Sequence, residues 1–248
     1  MVPNLSLFSL EGLTAVVAGA SRGIGYAVAT GLARAGASTI GFGRSSDVES
    51  EHFSYRQCDV NQGEAVARLF DDIEQRHDGI DVYLHVAGIT LPSGTEAQSP
   101  EEFARSLETN LTSAYRCCAL VGGFMARRGR GSIINVTSIG SLLGFPHNPG
   151  YVAAKGGLRM MSKALALDLG PRNVRVNCLV PGYIHTEMTA ASYDDPIRNR
   201  ERTERTMLGR WGEVDDLVGA AIFLSSGAST YVTGSDLIVD GGWSAKGL

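Results

Sequence analysis

The stretch that decides the fold is Thr14-Ala-Val-Val-Ala-Gly19-Ala-Ser-Arg-Gly23-Ile-Gly25. A short apolar β-type run, Thr14–Ala18, passes directly into glycines spaced GxxxGxG, and a helical pattern follows over Ile24–Ala35. A glycine turn between a first strand and a first helix suits the pyrophosphate of a dinucleotide. Glycines admit close backbone approach, and the helix N-terminus offers free N–H groups and a partial positive charge. The competing reading of the turn alone, a plain strand-to-helix connection, is weakened by its place at the start of a βαβ unit.

Outward from this turn, short β-type runs alternate with longer helical patterns. The strands read as Thr14–Ala18, Ser38–Phe42, Ser54–Gln57, Val82–Val86, Ser132–Thr137, Arg175–Leu179 and Asp236–Val239. Helices are expected over Ile24–Ala35, Gln62–Gln75, Glu101–Arg128, Tyr151–Leu169 and Glu213–Leu224. Such alternation implies an α/β fold: a Rossmann-type, doubly wound, seven-stranded parallel sheet with helices on both faces. No repeat or linker divides the chain, so residues 1–248 are expected to form a single domain. The one long irregular stretch, about 183–208, reads as a lid over the substrate.

The 248 residues, 44% hydrophobic, are enough to bury a substantial core. Net charge is −4, and the positive charge comes from 19 Arg and only three Lys, Lys155, Lys163 and Lys246. No basic field points to nucleic acid. Cys58, Cys117, Cys118 and Cys178 have neither CxxC nor metal-like spacing; they read as buried thiols in a reducing compartment, and no metal is expected. Met1–Leu10 has no basic start and no long apolar run, and nowhere are there about 18 uninterrupted apolar residues. A cytoplasmic protein with no membrane association is expected.

The second strand ends at Phe42-Gly43-Arg44-Ser45. A dinucleotide fold reads the adenosine ribose here: an acid accepts from a 2′-hydroxyl, whereas an arginine pairs with a 2′-phosphate. Gly43 stands where the acid would be, Arg44 and Ser45 follow, and Arg22 of the glycine turn can reach the same phosphate. NADP(H) is therefore favoured. The alternative is that Arg44 stacks on adenine and NAD(H) also serves, with Asp47 close by in sequence.

Tyr151-Val-Ala-Ala-Lys155 opens a helix, and residues four apart share a face. A carbonyl accepting hydride needs a proton donor, and an ammonium beside a phenol favours the tyrosinate. Taken alone, YxxxK is common by chance. Ser138 stands at a strand end, where its hydroxyl can donate to a substrate oxygen. Asn110 lies within the long helix, where an amide is unfavourable unless it has a partner or a role.

The ordered set of glycine turn, Asn110, Ser138, Tyr151/Lys155, Pro181-Gly182 and Val239-Asp-Gly-Gly242 resembles the short-chain dehydrogenase/reductase family from Leu10 to Trp243. The resemblance implies a catalytic set of Asn110, Ser138, Tyr151 and Lys155, with Asn110 positioning a water that extends the relay from Lys155. It implies a cofactor site made by Gly19, Ser21, Arg22, Gly23, Ile24, Gly25, Arg44, Ser45, Asp59, Val60, Ala87, Gly88, Tyr151, Lys155, Pro181, Gly182, Ile184 and Thr186. Asp59 would accept the adenine amine, although a surface turn is a fair alternative. Two positions depart from the family pattern: Ala18 replaces its Thr, and His85-Val86 replaces the first two residues of its NNAG. This exchanges a polar brace for an apolar one. His85 reads as a structural histidine in preference to a second base.

For substrate, the Arg198–Arg205 run reads as a solvated helix face from which one arginine can still turn inward to a carboxylate. Phe8–Gly12 and Leu208–Trp243 are similar to sugar and sugar-acid dehydrogenases of the family. His147, with Ser138 and Tyr151, can line the substrate pocket. The rival is a 3-oxoacyl-(acyl-carrier-protein) reductase docking an acidic carrier on Arg127, Arg128, Arg130 and Arg172. A rival of another class is a non-catalytic dinucleotide sensor. The family resemblance further implies a homotetramer paired through the helices starting near Glu101 and Tyr151, where Gly156-Gly157 and Ala164/Ala166 would allow close approach.

Overall fold

The computed structural model describes residues 5–93 and 97–246, so the reading of Met1–Leu10 can be followed only from Leu5. Seven strands form one parallel sheet: β1 Thr14–Ala18, β2 Ser38–Gly43, β3 Ser54–Gln57, β4 Val82–His85, β5 Gly131–Val136, β6 Val174–Pro181 and β7 Asp236–Val239. Their order is β3-β2-β1-β4-β5-β6-β7. β1, β4 and β5 are buried on both faces, as expected for inner strands of a covered parallel sheet. The helices are α1 Gly23–Arg34, α2 Gly63–Arg76, α3 Pro100–Leu107, α4 Ser113–Arg128, α5 Pro149–Leu169, α6 Ala190–Tyr193, α7 Pro196–Arg205 and α8 Val218–Ser225. Val28 and Leu32 of α1 and Leu217 and Ala221 beside or within α8 pack on Val17, Leu84 and Ile134. On the other face Phe70, Cys117, Val121 and Met125 from α2 and α4 pack on Val16, Tyr83 and Ile133.

The strand order reverses between β1 and β4, and a ligand crevice forms where connections diverge from neighbouring carboxyl ends. All four cysteines are free and buried, and burial pushes the Cys117 and Cys178 thiols up to about 11. No helix among the described residues is long and apolar enough to cross a membrane.

Two expected elements are corrected. The helix expected over Glu101–Arg128 is divided by one wide π-type turn, Glu108–Thr112, in which Ser113 N donates to Glu108 O. Asn110 lies in that turn and spends its side chain on backbone: Ile89 N donates to its Oδ1 at 2.9 Å, and its Nδ2 donates to Ile89 O and Ser106 O, both at 3.0 Å. The second correction concerns 183–208, which holds α6 and α7 and is not irregular throughout. Asp195 caps α7 by accepting from Ile197 N and Arg198 N, and Pro196 occupies the first turn. The charged run that follows forms the solvated helix face that its alternating charges suggested, here with a capped start.

Candidate active site

The crevice above the switch point is a cavity of about 570 Å³. Every residue expected at the cofactor lines it, from Gly19 and Ser21 through Arg44, Ser45, Asp59, Val60, Ala87 and Gly88 to Ile184 and Thr186, together with Ser138, Tyr151 and Lys155. The glycine turn is built for close approach. Gly19 has φ +84, and a Cβ there would lie 2.7 Å from the backbone of Ala87. A Cβ on Gly25 would collide with the carbonyl oxygen of Gly19. Arg22 stands extended at the N-cap of α1, and no side chain caps the helix, which leaves its first N–H groups to a ligand. These features fit the pyrophosphate of a dinucleotide.

The adenosine end is equally specific. A Cβ at Gly43 would lie 2.8 Å from Tyr55 Oη, so an acid reading a free ribose there would have to displace the Tyr55 phenol. Arg44 is exposed at the cavity edge with its carbonyl accepting from Gln57 Nε2 at 2.9 Å. Arg22 is engaged elsewhere, its guanidinium 2.7 Å from Glu187 of the lid, with both side chains exposed. Asp59 Oδ1 accepts from Asn61 N at 2.9 Å, leaving the second carboxylate oxygen toward other partners.

At the other end Lys155 is buried, and its ammonium donates to Val136 O at 2.8 Å. Burial pulls its pKa down to about 8. The ammonium lies 5.8 Å from the centroid of the Tyr151 ring. The Tyr151 phenol is raised by burial, with its hydrogen bond to Ser138 working in the opposite direction. The expected lowering of Tyr151 by Lys155 is therefore not present in the protein alone: the one group that lowers the phenol is Ser138, and burial outweighs it.

Ser138 follows β5, caps a short turn at Ile139–Ser141 and accepts from Gly140 N at 3.0 Å. Asn110 stands behind the cavity wall. A Cβ at Gly88 would lie 2.6 Å from Asn110 Oδ1 and 3.6 Å from Lys155 Nζ, so the glycine lets Asn110 pack close against this turn.

His147 is exposed, has φ 61 and is not among the cavity's lining residues; its carbonyl instead accepts from Ser93 N and Oγ. His85 is buried, its Nδ1 is 2.8 Å from Tyr83 Oη, and burial pulls its pKa down to about 3. It is neutral, as a structural histidine would be. Val86 N donates to Ala18 O at 3.0 Å, so backbone alone joins the two positions that depart from the family pattern.

Sequence reasoning missed Asn61, Thr109, Arg105 and Thr189, which also line the cavity. Asn61 Nδ2 donates to Thr109 Oγ1 at 3.3 Å. Thr189 Oγ1 accepts from Thr186 N and donates to Ile184 O at 2.6 Å, tying the start of the lid. No motif marked these positions; a hydroxyl three residues after Thr186 was the one available signal. Among the described residues no group of three potential metal ligands occurs.

A family model described as enoyl-(acyl carrier protein) reductase matches residues 19–244. The chain belongs to the short-chain dehydrogenase/reductase family. It is an oxidoreductase of the kind that acts on CH–OH groups with NAD(P). Gluconate 5-dehydrogenase of Gluconobacter oxydans is 39% identical over 95% of this chain and 96% of its own. A 3-oxoacyl-(acyl-carrier-protein) reductase of Chlamydia trachomatis is 37% identical over 92% of this chain and 96% of its own. Among solved structures, a gluconate 5-dehydrogenase from Burkholderia cenocepacia J2315 in complex with NADP and tartrate has a TM-score of 0.93 and 34% identity, covering 98% of this chain and 99% of that one.

Proposed function

We propose that this oxidoreductase interconverts the carbonyl and secondary alcohol of a sugar acid and that NADP(H) is its preferred cofactor. The observation that carries the reading is the meeting of Ser138, Tyr151 and Lys155 at one end of a cavity whose other end is the glycine turn. When bound, the nicotinamide supplies or accepts the hydride. The cofactor contacts named above hold it: the uncapped end of α1 takes the pyrophosphate, Arg44 takes the 2′-phosphate, and Ile184 and Thr186 take the carboxamide. Ser138 donates to the substrate oxygen, and Tyr151 gives or takes the proton there. Lys155, charged below about pH 8, holds the nicotinamide ribose hydroxyls and steadies the tyrosinate. Asn110 positions a water that extends the relay from Lys155.

Residues 183–208 act as the lid of a single domain spanning 1–248. The sugar-acid reading is supported by the gluconate dehydrogenases among the relatives. The carrier-protein reading is disfavoured because Arg128 is taken by Glu74 at 2.6 Å and Arg130 by Asp81 at 3.0 Å, so two of the four patch arginines are neutralised.

The protein is read as a cytoplasmic homotetramer. Free buried thiols suit a reducing compartment, and Tyr115, Met160 and Leu167 leave apolar surface exposed on α4 and α5. The small residues expected there are partly spent within the chain: Gly157 faces Leu111, and Ala166 lies in the core.

The test is a kcat/KM screen with NADPH and NADH over sugar acids, aldoses, β-ketoacyl thioesters and simple ketones. Preference for a sugar acid with NADPH is expected. Preference for thioesters, or for NADH, overturns the corresponding half of the reading. Tight NADPH binding without turnover of any of them would mark a sensor.

A further inference from the structure

An aromatic group packs around the start of residues 183–208. Tyr183, between cavity-lining Gly182 and Ile184, has its ring 5.3 Å from Trp211 and 5.4 Å from Trp243. It also stacks on Phe145 at 6.2 Å, and Phe145 presses against Gly140, whose N–H bonds to Ser138. The aromatic group thus adjoins the turn that presents the catalytic serine. Arg202 of α7 turns into it, with its guanidinium 4.7 Å from the Tyr183 ring and 5.9 Å from Trp211.

Arg202 Nε and Nη1 are buried and have no hydrogen-bond partner among the described residues; the same holds for Trp243 Nε1 and Ser192 Oγ. Three of these four atoms can only donate. Asp195 caps α7 and pairs with Arg198 at 3.5 Å; Arg202 acts on it only through charge at a distance and makes no hydrogen bond to it. A cation withdrawn from water with its donors unmade is costly, and an anion removes that cost.

We infer that Arg202, set against Tyr183 and Trp211, is the specificity-determining site for the substrate's carboxylate, the end of the molecule remote from the reacting carbon. A planar guanidinium grips a carboxylate bidentately, and the aromatic faces keep the fork flat and dry. The inference rests on the sugar-acid reading of the active site and names the residue that enforces it.

The experiment compares D-gluconate with sorbitol, which has the same carbon chain and no carboxylate, in wild type, Arg202→Gln and Arg202→Lys. For Arg202→Gln we expect kcat/KM on gluconate to fall about 10- to 100-fold, mainly through KM, with sorbitol turnover unchanged. Arg202→Lys restores part of the loss. An equal fall on both substrates, or none, overturns the assignment.

Calorimetric binding of tartrate to the NADP-loaded protein separates this site from the activity reading. Should wild type turn over only neutral ketones, the sugar-acid reading fails, yet tartrate binding that Arg202→Gln abolishes still establishes the anion site. Should wild type bind no tartrate, or Arg202→Gln and Arg202→Lys bind it as wild type does, the anion site itself is refuted. Thermal melts of both variants identify any loss of fold.

Discussion

Lys155, a buried cation lining the cleft, and Arg202, a half-buried one on α7 with two buried donors, are satisfied differently. Lys155 donates to a strand carbonyl 2.8 Å away, a partner provided by the fold itself. Arg202 has aromatic faces around it and no acceptor for its buried Nε and Nη1. Lys155 thus has its partner before any ligand arrives, whereas Arg202 awaits one for its buried donors. This is how a scaffold shared across many reactions divides its labour: chemistry on rigid strands and helices, selectivity on the connections.

The contrast can be broken first at the chemistry. Tyr151→Phe removes the proton donor and nothing else of comparable size, so turnover should fall by about 10²- to 10⁴-fold while NADPH binding, followed by fluorescence, is largely kept. Near-wild-type activity would sink the catalytic assignment.

Next is the preformed turn. Gly25→Ala drives a methyl into Gly19 O and should cost about 1–3 kcal/mol of stability in denaturant melts, with NADPH affinity lost alongside. A variant as stable and as tight as wild type would show that the turn is not rigid.

A smaller effect is expected at the adenosine edge. Arg44→Ala should lower the NADPH-to-NADH ratio of kcat/KM about tenfold or more, by loss of a charge-assisted pair. An unchanged ratio would transfer the phosphate to Arg22, whose present partner is Glu187.

The gentlest probe is pH. Lys155 loses its charge as pH rises through about 8, so kcat/KM should decline above that point. Stability moves the opposite way. The folded chain releases this proton at about 8 and an unfolded one near 10.5, so this group's contribution becomes more favourable across that window. His85 acts on the acid side. The buried ring protonates only near 3, against 6.5 when free, so stability falls as pH drops through that interval, and His85→Gln should flatten the decline. An unchanged acid limb in the variant would mean that other groups set it.

The sheet side was legible because its rules are local. Glycines adjoin the strand that feeds them, Tyr151 and Lys155 share a turn, and Ser138 follows its strand by two residues. The lid was not. The Arg198–Arg205 run shows charge without period, and which arginine turns inward depends on Tyr183, Trp211 and Trp243, which other parts of the chain deliver. His147 illustrates the same limit: adjacency to the catalytic residues in sequence did not bring it into the cavity, because its left-handed backbone turns it to solvent. The lone Asn110 did announce a special place, though not that the helix would widen to hold it.

That widened turn at Glu108–Thr112 bears on how such a chain can change over time. A π turn is a helix carrying one surplus residue. Deleting a single codon there would restore the regular repeat, rotate α3 by about 100° relative to α4 and withdraw the amide from Ile89. The glycine turn, Arg44 and the strands would be untouched. The surplus residue is thus what lets one helix serve two masters, with α3 and α4 each keeping its own packed face while the amide between them ties Ile89.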